Sequence, residues 1–435
     1  MTPSGGRPTP LYRIYRSLTA AAVPLAYWSV TRKLRKAGVD AERLPERAGT
    51  ASLDRPDGPL VWFHAASVGE SLGALTLIRA MGGRRADLSF LITSGTATSA
   101  EMITKRLPPR TQHQFAPLDA PGPVRRFLTH WRPQAGVFVE SELWPNMLLE
   151  AQKAGLHLAL VNARLSRKSV EGWRKWPDTA RLVMDVFDLL ISQNREMREN
   201  LIAMGADPDR VQQGVNLKAL AAPPPVDAPA LSDLKTALAG RPLWVASSTH
   251  PGEEEVVLSA HKTLLARHPD LCLLLIPRHP ERGAEVAKLC RDRGLSVAQR
   301  SAKETPAAQV YLADTLGETG TWYAASPIVF VGGSLQPIGG HNPYEPAQAG
   351  AAILTGPHFA SFSETYPPLI ALGGAVEIED PQALSEAVER WLVDEGALEQ
   401  ARAASKRFVA RQSEGLEEMV NGLLSALRLE APHGA

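Results

Sequence analysis

Carboxylates that follow apolar runs are the first candidates for chemistry in this sequence. HAASVGE, His64 to Glu70, comes directly after the run Leu60–His64. Strand C-termini are where α/β sheets place ligand groups, and small residues with Gly69 permit close backbone approach. Ser67 and Glu70 also fit the S-x-x-E capping box, so Glu70 reads equally as helix cap or as general base. ESELWPN, Glu140 to Asn146, repeats the arrangement with two carboxylates. Glu140 and Glu142 share a face if the strand runs through both and diverge if it ends between them. Either could stabilise transition-state charge, or cap the helix expected near Pro145.

A second set of groups suits an anion. FVGGSLQPIGGHNPYEPAQA, Phe330 to Ala349, reads as a buried strand, a glycine-rich turn containing Ser334, and a helix start. Asn342 as N-cap, Pro343 at the first helical position and Glu345 three residues after the cap predict a helix whose N-terminus, with the bare glycine amides before it, could hold a phosphate. Glu345 could then reach a sugar hydroxyl, or merely cap. Arg278 in IPRHPERG, ASSTHPGEE from Ala246, and TLGETG from Thr315 to Gly320 all follow apolar runs. Arg278 suits a phosphate or carboxylate fork, and glycine-bounded TLGETG can approach a ligand backbone-first. NARLSRKSVEGWRKW, Asn162 to Trp176, interleaves basic residues with two tryptophans, which fits a solvated helix face or an anionic headgroup.

The elements that must position these groups follow from hydrophobic patterning. At 435 residues the chain exceeds one typical core, so two domains are expected. Strands are predicted at Leu60–His64, Leu88–Thr93, Gly136–Glu140, Leu158–Val161 and Leu189–Ser192, with amphipathic segments such as Glu70–Met81 and Trp144–Ala154 between them. Ala221-Ala222-Pro223-Pro224-Pro225 marks a linker. The rhythm restarts at Leu243–Ala246, Leu271–Ile276, Val310–Ala313, Ile328–Val331 and Ala352–Leu354, and Pro381 to Leu427 reads as helical. This alternation predicts doubly wound α/β domains with mainly parallel sheets, facing each other across a cleft. The expected division is a basic, aromatic segment 1–40, a domain 41–222, a linker 223–230, a domain 231–428 and a tail 429–435.

Composition removes several classes of function. A formal net charge of +1 gives no overall signature of nucleic-acid binding. Two cysteines, one inside the apolar run LCLLLIP, argue for a reducing compartment without a disulfide framework. No HExxH, paired CxxC or EF-hand loop is present, so no metal or other cofactor is expected. Leu18 to Val30 is mostly apolar and bracketed by arginines and lysines, but shorter than the ~20 residues of a spanning helix. With Tyr12, Tyr15, Tyr27 and Trp28 it suits an interfacial helix on an anionic membrane, or an amphipathic helix docked on the protein itself.

Taken together, HAASVGE, ESELWPN, NARLSRKS, NLK, PRHPER, LGET and GGSLQPIGGHNPYEPA resemble the 3-deoxy-D-manno-octulosonic acid (Kdo) transferases of lipopolysaccharide assembly. The matching blocks run through most of the chain. The resemblance implies a GT-B glycosyltransferase with an acceptor domain first and a nucleotide-sugar domain second. It implies transfer from CMP-Kdo to the tetra-acylated lipid A precursor at the cytoplasmic face of the bacterial inner membrane. Carried over by motif, Glu70 would be the base, and Glu140 and Lys218 would assist in the transition state. CMP would contact Pro277, Arg278, Gly317, Glu318, Thr319, Ser334, Asn342, Pro343, Tyr344 and Glu345. Ser67, Gly69, Arg164 and Arg167 would serve the acceptor. Two positions depart from the family pattern: Lys218 is followed by Ala-Leu where members usually carry an aromatic and an aspartate, and Tyr344 stands where leucine is usual. Competing readings are another GT-B enzyme, such as a nucleotide-sugar epimerase, and a non-catalytic nucleotide-sugar-binding protein.

Overall fold

The computed structural model describes residues 7–217 and 223–430, so Lys218 lies outside the described residues. The chain divides into two compact units, Met1–Ala221 with Gln412–Ala435, and Ala222–Arg411. The first takes the last part of the helix Glu395–Ala426, where sequence patterning assigned everything to 428 to the second. The reason is a stripe of apolar residues: Met419, Val420, Leu423 and Leu424 are buried in the same cluster as Ile191 and Leu217.

In the first unit seven strands form one parallel sheet: β1 Leu60–His64, β2 Ser89–Ser94, β3 Thr111–Phe115, β4 Ala135–Val139, β5 His157–Ala163, β6 Leu189–Ser192 and β7 Val211–Gln213. Their order is β3-β2-β1-β4-β5-β6-β7, so the winding reverses between β1 and β4. Strands β1, β2 and β4 are buried along their whole length, which is why they read as unbroken apolar runs. Core clusters cover both faces, one built around Trp62, Phe127 and Phe138, the other around Phe63, Leu75 and Ile78.

The second unit repeats the plan with β8 Leu243–Thr249, β9 Cys272–Pro277, β10 Val297–Gln299, β11 Val310–Leu312, β12 Ile328–Val331, β13 Ala352–Thr355 and β14 Ala375–Glu377. The order is β10-β11-β9-β8-β12-β13-β14, all parallel, and here the winding reverses between β8 and β12. Ligand groups in such sheets gather beyond the carboxyl ends of the strands at the reversal.

The N-terminal helix spans Pro10–Lys36, continuous through Pro24. One face docks on the first unit: Tyr12, Thr31 and Leu34 are buried, and Tyr15 Oη donates to Asp119 Oδ2 at 2.7 Å. Asp119 also accepts from the Met147 amide at 2.7 Å, capping the helix Pro145–Lys153. Asn146 Nδ2 donates to Thr19 Oγ1 at 3.0 Å, so helix start and N-terminal helix are pinned together. The opposite face leaves Ile14, Leu18, Leu25 and Trp28 more than half exposed. Among the described residues no helix is long and apolar enough to cross a membrane.

Candidate active site

In the first unit the residues after β1 sit where the sheet reverses. Ser67 is the N-cap of the helix Val68–Arg84, its Oγ accepting from the Glu70 amide at 3.3 Å. Its hydroxyl in turn donates to Glu70 Oε1 at 2.8 Å, and the Ala66 amide donates to Glu70 Oε2 at 2.7 Å. The same bonds close the helix start and hold the Glu70 carboxylate at the strand end. An ionised carboxylate has about four acceptor positions, so two local bonds leave capacity for a hydroxyl. Gly69, in the first turn of this helix, is exposed.

One strand over, β4 ends at Val139, and Glu140 takes φ 60°, a left-handed conformation costly for a side chain of this type. The kink separates the two carboxylates. Glu142 turns inward, where its Oε2 lies 3.1 Å from His64 Nε2 and accepts from the Trp144 indole. Burial opposes its charge, but the bonds from His64 and Trp144 outweigh that and hold its carboxyl below the usual range. His64 Nδ1 is 2.9 Å from Thr93 Oγ1, which also receives the Trp62 indole N–H. Glu140 remains half-buried at the strand end, bonded from Asn162 Nδ2 at 3.3 Å. Arg164 and Arg167 are exposed beyond β5, and Arg167 pairs with Glu171 at 3.1 Å on its own helix.

In the second unit the glycine-rich turn after β12 departs from expectation. Its amides are not bare. Glu253, fully buried, accepts from Gly333 at 2.7 Å, from Ser334 and Leu335 at 2.9 Å each, and from His250 at 3.0 Å. An internal carboxylate thus fills the nest that sequence reading assigned to a phosphate. Ser334 is likewise engaged: its Oγ donates to Val331 O at 2.7 Å and accepts from Gly356 N at 2.8 Å. The following helix is only Tyr344–Gln348, with Pro343 rather than Asn342 at the cap. Asn342 instead uses its side chain twice, accepting from Tyr344 N at 3.0 Å and donating to Glu345 Oε1 at 3.3 Å.

The groups that stay accessible lie around these fixed ones. Arg278 is exposed at the end of β9, after buried Pro277. Glu345 is half-buried; burial raises its carboxyl, while Asn342 and nearby Arg278 oppose the rise. Tyr344 turns into the core and stacks on Phe408 at 5.5 Å, so its side chain is structural. Buried Pro343 contributes backbone shape. Glu318 is bound by Arg300 at 2.7 Å, and Thr319 opens the short helix Thr319–Tyr323. Gly317, φ 85°, has open space where a β-carbon would stand, whereas Gly320 packs against the Pro224 carbonyl.

Sequence reading missed the histidines here. His250 Nε2 and His341 Nε2 are 2.8 Å apart with nearly parallel rings, so one proton lies between them. Burial first, then the charges of His250 and Arg278, push His341 down to about 4; burial lowers His250 below its ordinary value, with Glu253 opposing and His279 and Arg278 adding to the shift. Their only sequence signal was membership of STHPGEE and GGHNPYE, motifs 91 residues apart.

The two parallel seven-stranded sheets, with the candidate groups beyond their carboxyl ends, define a GT-B-like fold. A solved UDP-N-acetylglucosamine 2-epimerase superposes with TM-score 0.58, covering 88% of this chain and 99% of that one, at 12% identity, a likeness of fold alone. The family model for 3-deoxy-D-manno-octulosonic-acid transferase (kdotransferase) matches residues 42–221. A probable mitochondrial 3-deoxy-D-manno-octulosonic acid transferase of Arabidopsis thaliana is 37% identical over 421 residues, 91% of each chain. The 3-deoxy-D-manno-octulosonic acid transferase of Haemophilus influenzae is 32% identical over 94% of this chain and 96% of its own. The chain belongs to the Kdo transferase family.

Proposed function

We propose that the chain transfers Kdo from CMP-Kdo to a sugar hydroxyl of the tetra-acylated lipid A precursor, with Glu70 as general base. The observation that carries this reading is Glu70 itself, a carboxylate fixed by Ala66 N and Ser67 Oγ where the sheet order reverses. A sugar hydroxyl is a poor nucleophile, and a carboxylate within hydrogen-bond reach can take its proton as attack proceeds. The hydroxyl oxygen bonds to the anomeric carbon of Kdo, the bond from that carbon to the phosphate oxygen breaks, and its electron pair leaves with CMP. Arg278 supplies positive charge toward the departing phosphate, and Asn342 and Glu345 offer hydrogen bonds to the nucleotide sugar. Glu140 and Lys218 keep the supporting roles that the family resemblance implies.

The acceptor is a lipid, and the N-terminal helix suits that. Ile14, Leu18, Leu25 and Trp28 are spaced 4, 7 and 3 residues apart, which stacks them along one exposed stripe. Arg32 lies over the Trp28 ring at 5.5 Å, and Lys33, Arg35 and Lys36 follow. Such a face lies in an anionic membrane surface with its basic residues at headgroup level. The reading therefore places the chain on the cytoplasmic leaflet of the bacterial inner membrane.

Mass spectrometry of the product from purified chain, CMP-Kdo and lipid A precursor tests the reading. One or more Kdo units added to the precursor is the expected result. No addition by protein that binds CMP would overturn it.

A further inference from the structure

Resting on the transferase reading above, the geometry assigns Asn162 as a positioning residue that ties Glu140 to the peptide leading into Lys218, which packs on the helix that carries Glu70. Asn162 is 1% exposed at the end of β5, with φ 53°. The β5–β6 register shifts between Leu160 and Ala163, so a bulge re-aims this residue. Asn tolerates the left-handed conformation better than most residues. The neighbouring strand end has the same feature, since Glu140 is also left-handed, and the Glu140 amide donates to Val161 O at 2.9 Å. Two left-handed residues side by side at adjacent strand ends are conformationally expensive and persist only where surrounding bonds fix them.

The Asn162 amide group supplies those bonds in two directions. Its Nδ2 donates to Glu140 Oε1 at 3.3 Å, and its Oδ1 accepts from Leu217 N at 3.3 Å. Leu217 is buried against the helix Val68–Arg84, so closely that a β-carbon at Gly73 would lie 2.9 Å from Leu217 Cβ. One side chain therefore links the carboxylate after β4 to the residue preceding Lys218, and that residue is seated one turn past Glu70. Misplacement of a catalytic group by about 1 Å costs ~100-fold in rate, so this linkage bears directly on turnover.

Asn162→Gly is the suitable deletion, because glycine adopts the native φ without strain while both bonds vanish. Asn162→Asp keeps the acceptor toward Leu217 but sets a second anion beside Glu140. Initial rates against lipid acceptor should show kcat at least ~10-fold lower in Asn162→Gly and lower still in Asn162→Asp. The acceptor KM and the CMP affinity should stay close to those of the unmodified chain, while the melting midpoint falls by what the lost buried hydrogen bonds contribute. In a Glu140→Ala background, Asn162→Gly should cost less than it does in the unmodified chain, because one of the two groups it positions is gone. Unchanged kcat in both variants, or losses that add fully in the Glu140→Ala background, would overturn the assignment while leaving the transferase reading intact. An unmodified chain that transfers no Kdo would overturn both.

Discussion

His64 Nε2 and Glu142 Oε2 lie 3.1 Å apart inside the first unit, which makes Glu142 a buried structural partner and leaves Glu140 as the carboxylate at the strand end. Removing Glu142 leaves the buried donors of His64 and Trp144 without their acceptor, at about 1–3 kcal/mol each. Glu142→Ala should therefore lower the thermal midpoint by many degrees. Glu140→Gln should leave the midpoint near its original value and lower the transfer rate. Melting curves and initial rates on the two variants separate the roles, and the reverse pattern would exchange them.

Glu253 binds four backbone amides with two oxygens. Glutamine offers a single oxygen acceptor, so Glu253→Gln leaves buried N–H groups unpaired at about 1–3 kcal/mol each. Urea unfolding of the second unit should move to clearly lower concentration. A midpoint unchanged from the parent would mean that the turn after β12 holds its shape without the carboxylate.

His261 makes stability depend on pH. Its Nδ1 accepts from the Trp244 indole at 3.2 Å and its Nε2 faces Gln309 O at 3.0 Å, which fixes a neutral ring donating through Nε2. Burial pushes its pKa down to about 4, with the Gln309 bond opposing. Below the ordinary value the unfolded chain takes a proton that the folded ring refuses, so stability falls as pH drops from about 6.5 toward 4. The share of His261 at pH 5 is about 2 kcal/mol. His113, held down to about 3, adds to the same slope. His261→Gln should flatten the change in urea midpoint between pH 7 and pH 5; an identical slope would remove His261 from this account.

The exposed stripe on the N-terminal helix gives a separate expectation. Leu18→Glu with Leu25→Glu should cut co-sedimentation with anionic vesicles by ~10-fold or more, because apolar burial and headgroup attraction both weaken. The docked face, through Tyr12 and Tyr15, is untouched, so the melting midpoint should hold. Vesicle binding that survives both changes would assign the membrane contact elsewhere.

Much of this architecture was legible in the residue pattern, and the gaps have a common physical cause. Every interior strand of both sheets shows as an apolar run. The four strands missed are β3, β7, β10 and β14, the edges of the two sheets. The edge strands carry no continuous apolar signal, as the polar run TQHQF of β3 illustrates even though its last three residues are buried. The glycine-rich turn was misread because Glu253, which fills it, comes 80 residues before Gly333 in the chain. The Glu140–Glu142 ambiguity was resolved by one left-handed φ that alternation cannot reveal. Glu70, by contrast, was visible from SxxE at a strand end, because cap and base candidate are the same local geometry.

The most direct test of the central claim is Glu70→Gln, assayed for Kdo transfer and CMP affinity side by side. Glutamine retains one acceptor toward Ala66 or Ser67, so the helix start should persist, but it cannot take a proton. The account predicts a fall in transfer of ~100-fold or more, with CMP affinity and melting midpoint nearly unchanged. Transfer at the parent rate would contradict it and leave Glu70 as the cap of the helix Val68–Arg84 alone.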